Sequence, residues 1–189
     1  SDVCSSDLVL GLDATPGGRF VSIGIGAGTP DNPYVELVEH EQGTGWVPGR
    51  IVELVARWRP LAVGIDAQGP AGGLVGTIRA ALVDAKLDPE VLRVVTFGEM
   101  KQWSQGFFQD VVDGPVSRLR RPPGNVPLDV AGRDAGERVI GDGWLWDRRN
   151  ATIPLSPLVA VTIARGLAVE LMPKPAAPSS VSLVLGLGR

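Results

Sequence analysis

Short apolar runs separated by turn residues dominate the first part of the chain. Residues 8–14 form an apolar run with an acid as the last residue but one, and residues 19–27 and 33–41 alternate well enough to be strands. Residues 15–18 read Thr-Pro-Gly-Gly, which favours a tight turn between the first two runs. We therefore predict three consecutive strands that pair as an antiparallel meander.

The rest of the chain alternates helical and strand patterns. Residues 46–58 carry apolar side chains at helical spacing, and Pro60 follows as a stop signal. The same criteria predict strands at 61–66 and 92–97, an extended segment at 144–149 (WLWDRR), and further helices at 71–85, 99–113, 128–138 and 156–172. The last helix has Ser156 as its predicted N-cap and Pro157 at its first position. Because it is apolar nearly all round, we expect it to be buried against the sheet.

Length and composition indicate one domain with no membrane-spanning run. A chain of 189 residues can bury a substantial core. The single Cys4 excludes an internal disulfide framework and suits a reducing compartment, and the single His40 lies in an acidic segment where we expect it to be solvated. We expect the domain to cover residues 8–172, after a disordered or non-native leader at 1–7 and before a Pro/Ala/Ser-rich linker and tail at 173–189.

Two carboxylates end two of the predicted central strands. Asp13 lies near the end of the run LVLGLDA, and Asp66 closes the run LAVGID. Ligands of open α/β sheets bind at the carboxyl ends of the strands, so these acids converge if their strands are neighbours. Converging buried carboxylates repel each other unless a cation holds them, and oxygen ligands favour Mg²⁺ or Mn²⁺. The pair therefore predicts a cation site, although either acid alone is more simply a cap for the loop that follows it.

The order of elements, three strands followed by alternating helices and strands, is the layout of the ribonuclease H-like fold, a mixed sheet flanked by helices. Six stretches between residues 8 and 171 carry a further resemblance and cover nearly all of that range: GLDATPGGRFVSIGIG, VELVEHEQGTGW, IVELVARWRPLAVGIDAQGPAGGL, LDVAGRDAG, GDGWLWDRR and SPLVAVTIARG. With these stretches the sequence resembles the nuclease domain of phage terminase large subunits of the actinobacteriophage type.

This resemblance implies a metal-dependent endonuclease that cuts double-stranded viral DNA during genome packaging in the host cytoplasm. Its implied partners are the terminase ATPase domain, the small subunit and the portal protein. The chain has no G-x-x-x-x-G-K-[ST] sequence, so the ATPase is not part of it. Phosphodiester hydrolysis by two divalent ions would use Asp13 as the bridging ligand and Asp66 as the ligand of one ion.

The third acid of the site departs from the family pattern. The resemblance implies an acid at the start of the last helix, where this chain has Ser156 and Pro157. The nearest substitute is Asp147, which we predict as the third catalytic and metal-binding carboxylate. An ion pair between Asp147 and a neighbouring arginine is an equally good interpretation. Lesser alternatives, interpreted as surface charges, are Asp129, Asp134 and Asp142.

Phosphate contact must come from local patches, because the net charge is −3. A proline-broken loop at 118–125 is basic, and two more arginines follow Asp147. We predict that these groups hold DNA phosphates without reading bases: Arg118, Arg120, Arg121, Arg148 and Arg149. Solvated surface arginines are the alternative for each of them.

Two other functions remain open. One is a different ribonuclease H-like nuclease, such as a Holliday-junction resolvase. The other is a degenerate, non-catalytic domain that docks onto the packaging motor, which the missing acids at Ser156 and Pro157 favour.

Overall fold

A computed structural model describes residues 7–112 and 117–172. The predicted tail at 173–189 lies outside these residues, as does the predicted leader apart from Asp7. The centre of the fold is a five-stranded sheet in the order β3-β2-β1-β4-β5. Its strands are β1 (Leu8–Ala14), β2 (Phe20–Thr29), β3 (Asn32–Gln42), β4 (Val63–Asp66) and β5 (Leu92–Val95).

The pairing of these strands confirms the predicted mixed sheet. The first three strands form the antiparallel meander, and β1 then pairs in parallel with β4, which pairs in parallel with β5. Strand β1 is therefore central, because it is flanked by β2 and β4. Five α-helices accompany the sheet in the described residues: α1 (Val47–Trp58), α2 (Val75–Asp84), α3 (Phe97–Val112), α4 (Val126–Arg133) and α5 (Ser156–Leu171). No helix among residues 7–112 and 117–172 is both long and apolar enough to cross a membrane.

The segment between α4 and α5 differs from the sequence prediction. The helix predicted at 128–138 ends at Arg133, and a two-stranded hairpin follows, made of β6 (Glu137–Ile140) and β7 (Gly143–Trp146). Gly141 adopts φ 62° in the turn between the two strands, a conformation that glycine reaches without strain. The residues of β6 alternate between exposed and half-buried, which is typical of a strand. The helical interpretation of residues 137 and 138 overlooked this alternation.

Helix α5 lies against the sheet at unusually short range. A Cβ built on Gly11 would come within 2.1 Å of the Ala160 carbonyl oxygen, and one on Gly26 within 2.2 Å of the Ala164 carbonyl oxygen. Glycine at these strand positions lets the helix backbone approach the sheet directly. The helix is buried along most of its length, as its all-round apolar sequence predicted.

The start of α5 also differs from expectation. Leu155, not Ser156, is the N-cap, and Ser156 is the first helical residue, so the predicted capping role of its side chain is wrong. The Ser156 hydroxyl instead lies 2.9 Å from the Ser22 hydroxyl of β2. Ser22 in turn lies 2.9 Å from His40 Nδ1. Because His40 also stacks on Phe20, it is partly buried rather than fully solvated as the sequence suggested.

Candidate active site

Strands β1 and β4 bring the two predicted acids side by side. Leu12 pairs with Ile65 in the parallel register, so the following residues, Asp13 and Asp66, lie level with each other at the carboxyl ends of their strands. Asp13 is fully buried, and only 4 % of Asp66 is exposed. Two acids at such depth require a compensating group, because an unpaired buried charge is strongly unfavourable.

That compensating group is Arg148, which follows β7. Its Nη1 donates to Asp13 Oδ1 at 2.8 Å, and its Nη2 donates to Asp66 Oδ2 at 2.9 Å. The other oxygen of Asp66 accepts the backbone N–H of Gln68 at 3.0 Å. A single guanidinium therefore bridges the two carboxylates, a use of its planar fork that the sequence did not predict.

Burial and charge act in opposite directions on these groups. Burial raises the pKa of Asp13 to about 7, against the lowering effect of Arg148 and with a further raising effect of Asp66. Asp13 Oδ2 is buried and has no hydrogen-bond partner among the described residues, so only its other oxygen contacts Arg148. Although burial lowers the pKa of Arg148, the charges of Asp13 and Asp66 raise it above its ordinary value.

Asp147 does not join the pair in this structure. Its Oδ2 accepts from Asn150 Nδ2 at 2.6 Å, and its Oδ1 accepts the backbone N–H of Arg149 at 3.1 Å. The hydrogen bond from Asn150 holds the pKa of Asp147 below its ordinary value. The side chain thus closes a local turn, and its role as a third metal ligand stays a prediction. The alternative was an ion pair between Asp147 and a neighbouring arginine. The Asp147 carboxylate instead accepts from Asn150 and from the backbone of Arg149.

The acids belong to a polar row that crosses four strands. Asp13 of β1 faces Ser22 of β2 in the antiparallel register, and Ser22 faces His40 of β3. Asp66 of β4 lies at the same level of the sheet, and Ser22 contacts Ser156 in the first turn of α5. Sequence reasoning missed Ser22, although a polar residue in the alternating run Val21–Ile25 was a signal for this row.

An open cavity of about 500 Å³ lies beside the arginine bridge. Three arginines line it, namely Arg19, Arg148 and Arg149, together with residues from the end of β1 and from the loop before α5. Arg19 was not a predicted site residue, because it is far in sequence from the other two. A wall with three guanidinium groups suits a ligand that carries phosphates.

The other predicted DNA-binding arginines are engaged in ion pairs or at the sheet edge. Arg118 contacts buried Asp110 at 2.9 Å, and Arg121 contacts Asp129 at 2.5 Å. The backbone of Arg120 forms a bridge with Tyr34 at the outer edge of β3. A DNA-binding role for these three residues stays a prediction.

The chemistry of the donor set fits one divalent cation. Asp13 and Asp66 offer hard oxygen ligands, and the unpartnered Oδ2 of Asp13 is an available donor. Such a cation and the Arg148 guanidinium cannot share the space between the carboxylates. A two-ion site needs more acids, and residues 7–112 and 117–172 contain no group of three or more His, Cys, Asp or Glu side chains placed to hold a metal ion.

Comparison with known proteins supports the architecture. The sequence matches no family model and no curated protein. The structure is similar to the large terminase nuclease from the thermophilic phage G20c, with a TM-score of 0.54 and 12 % identity, covering 84 % of each chain. It also matches Thermus thermophilus RuvC, with a TM-score of 0.45 and 21 % identity, covering 85 % of this chain and 92 % of that one. At such identities the likeness concerns the fold, and the chain has the ribonuclease H-like fold that its order of elements predicted.

Proposed function

We propose that this chain is a metal-dependent endonuclease that cleaves double-stranded viral DNA during genome packaging, as the nuclease domain of a terminase large subunit. The observation that carries the proposal is the convergence of buried Asp13 and Asp66 at the ends of adjacent parallel strands. The sequence resemblance and the similar fold of the phage G20c nuclease add support. The DNA substrate, the ATPase domain, the small subunit, the portal and the host cytoplasm belong to the same proposal.

The chain's own residues define what the site contributes. Asp13 and Asp66 would hold Mg²⁺ or Mn²⁺, which supplies Lewis-acid activation of water and charge stabilisation in phosphodiester hydrolysis. Arg148 and Arg149 line the cavity beside the acids, where they would hold the DNA backbone by charge rather than by base recognition. A second ion requires a further donor, and Asp147 is the candidate if its side chain leaves Asn150.

Cleavage of plasmid DNA tests this proposal. We expect Mg²⁺- or Mn²⁺-dependent nicking by the wild-type chain and a loss of about 100-fold or more in Asp13→Asn and Asp66→Asn, since metal ligands are essential to such chemistry. Asp84→Asn, an exposed acid at the end of α2, is the matched control and should cleave normally. Unchanged cleavage in both site variants would overturn the assignment of the acids. A four-way junction assayed in parallel addresses the resolvase alternative.

A non-catalytic docking domain is the second candidate function. The arginine bridge favours it, because Arg148 already neutralises the acid pair without a metal. A folded wild-type chain that shows no cleavage with either metal, alone or joined to its ATPase domain, yet binds the packaging motor, would establish this function instead.

A further inference from the structure

The guanidinium of Arg148 stands where a divalent cation would be held. It contacts one oxygen of each carboxylate at 2.8 and 2.9 Å. Arginine does not lose its proton in proteins, so a change of pH does not remove this charge. The pair opens to another cation only if the whole side chain moves away.

The same side chain borders the arginine-lined cavity. Arg148 retains 17 % exposure of its side chain, whereas Asp13 has none, so the guanidinium lies at the boundary between the buried acids and the open space. Arg19 and Arg149 give that space a positive wall. A phosphate that enters it would offer Arg148 a second bidentate acceptor, and arginine binds phosphate and carboxylate with the same fork geometry.

We propose that Arg148 is a latch that keeps the acid pair closed to metal until a DNA phosphate in the adjacent cavity draws the guanidinium away. This inference rests on the proposed function for its substrate, and it adds the order of events: DNA engagement precedes metal loading. Metal binding and DNA binding are then coupled with positive cooperativity, because each favours the state with Arg148 withdrawn.

A substitution at Gly69, which is not part of the ion pair, can perturb the packing around the latch. A Cβ built on Gly69 would lie 2.6 Å from Asp66 Oδ2 and 2.7 Å from Arg148 Nη1. Both atoms are at the ends of side chains, so Gly69→Ala would press on the ion pair rather than on the backbone. This substitution weakens the latch while leaving Asp13, Asp66 and Arg148 in the sequence.

Mn²⁺ binding without DNA is the first test. We expect the apparent affinity of Arg148→Ala for Mn²⁺ to exceed that of the wild type by roughly tenfold, within the usual range of coupling between two sites. Arg57→Ala removes the same charge from an exposed position in α1, away from the cavity, and should bind Mn²⁺ as the wild type does. Equal affinity in Arg148→Ala and the wild type would overturn the latch.

Two further variants keep the test decisive if Arg148→Ala does not fold. Gly69→Ala should also bind Mn²⁺ more tightly than the wild type. Arg148→Lys, which lacks the fork that reaches both carboxylates, should fall between Arg148→Ala and the wild type. If Arg148→Ala does not fold, the other two variants decide the question: wild-type affinity in both would reject the proposal.

The DNA arm uses a short duplex with hydrolysis-resistant phosphorothioate linkages. We expect this duplex to raise the Mn²⁺ affinity of the wild type and to have little effect on that of Arg148→Ala, which has no latch to release. The double variant Asp13→Asn/Asp66→Asn gives the baseline for Mn²⁺ bound by DNA itself. No increase in the wild type above this baseline would reject the role of DNA phosphate. Because every readout is metal affinity, absence of cleavage alone would count against the proposed function and not against the latch.

Discussion

Trp146 of β7 donates its indole N–H to the Thr162 hydroxyl of α5 at 3.0 Å, and both residues are buried. The Thr162 hydroxyl donates its own hydrogen bond to the Leu158 carbonyl oxygen at 2.8 Å, so it acts as both donor and acceptor. Trp146 also accepts the backbone N–H of Arg148 at 2.9 Å. The hairpin is thus fixed to α5 two residues before the guanidinium that bridges the acids.

Trp146→Phe should therefore lower stability and loosen the site together. Loss of one buried hydrogen bond is expected to reduce the free energy of unfolding by about 1 kcal/mol. It should also raise the Mn²⁺ affinity, since the anchor of Arg148 is weakened. Chemical denaturation and Mn²⁺ titration measure the two effects. Trp46→Phe, whose indole bonds an exposed carbonyl, is the control and should change neither quantity appreciably.

Gly11→Ala should destabilise the sheet–helix contact severely. The added methyl group would meet the Ala160 carbonyl oxygen at 2.1 Å and the Ala164 nitrogen at 2.6 Å, and backbone atoms cannot move aside without shifting α5. We expect a loss of about 3 kcal/mol or more in the free energy of unfolding, at the upper end for overpacking.

Gly76→Ala is the matched control for this substitution. Gly76 lies in α2 with nothing within 4 Å of the built Cβ, so alanine should stabilise the helix by about 0.5–1 kcal/mol. Thermal melts of the two variants should therefore move in opposite directions. A small change at Gly11 would show that α5 is free to retreat from the sheet.

Asp110→Asn should destabilise the protein by breaking a buried charge network. Asp110 of α3 is 1 % exposed and pairs with Arg165 of α5 at 2.6 Å and with Arg118 at 2.9 Å. Neutralising it leaves Arg165 without its buried counter-charge, which typically costs about 3–5 kcal/mol. Urea denaturation measures this change. Asp142→Asn breaks an exposed pair with Lys101 and should have little effect; an equally small effect of Asp110→Asn would contradict this account.

Asp13 should impose a pH dependence on the metal-free protein. Its pKa is about 7 in the folded chain against an ordinary 3.8, so between these values the folded state holds a proton that the unfolded state has lost. The Asp13 contribution to stability is therefore greatest at low pH and is lost as the pH rises through about 7, by up to about 1.4 kcal/mol per unit.

The difference between wild type and Asp13→Asn isolates this contribution. In the presence of a chelator, we compare the free energy of unfolding of the wild type with that of Asp13→Asn. The value for the wild type should fall relative to that of the variant as the pH is raised from about 5 to about 8, across the expected transition. Parallel pH profiles for the two proteins would contradict the assigned shift.

Sequence patterns predicted the elements whose periodicity is local. Strand β1 occupies the predicted residues 8–14, and α1 begins one residue inside its predicted bounds. The β6–β7 hairpin was missed in part, because its first strand was merged with the helix before it. Hairpin pairing depends on a partner several residues away, which a helical window does not detect.

Within the candidate site, the sequence predicted the two acids that lie at the ends of strands, but not their contacts. Asp13 and Asp66 follow from two apolar runs that each end in an acid, and the order of elements placed their strands together. Nothing local distinguishes Arg148 from Arg149, and nothing in the run WLWDRRN indicates that Asp147 bonds to Asn150. These contacts depend on the direction in which the chain leaves β7, which the packing of Trp146 on α5 fixes.

The sequence alone determined most of the elements, the antiparallel meander and the two acids at strand ends, because these features depend on local hydrophobic periodicity. The meeting of the two acids followed only from the ribonuclease H-like order of elements, which makes the first and fourth strands neighbours. Only the tertiary structure decided what lies between the acids. A buried pair of carboxylates needs a positive charge, and the fold supplies the guanidinium of Arg148 from a hairpin more than 80 residues away in the chain.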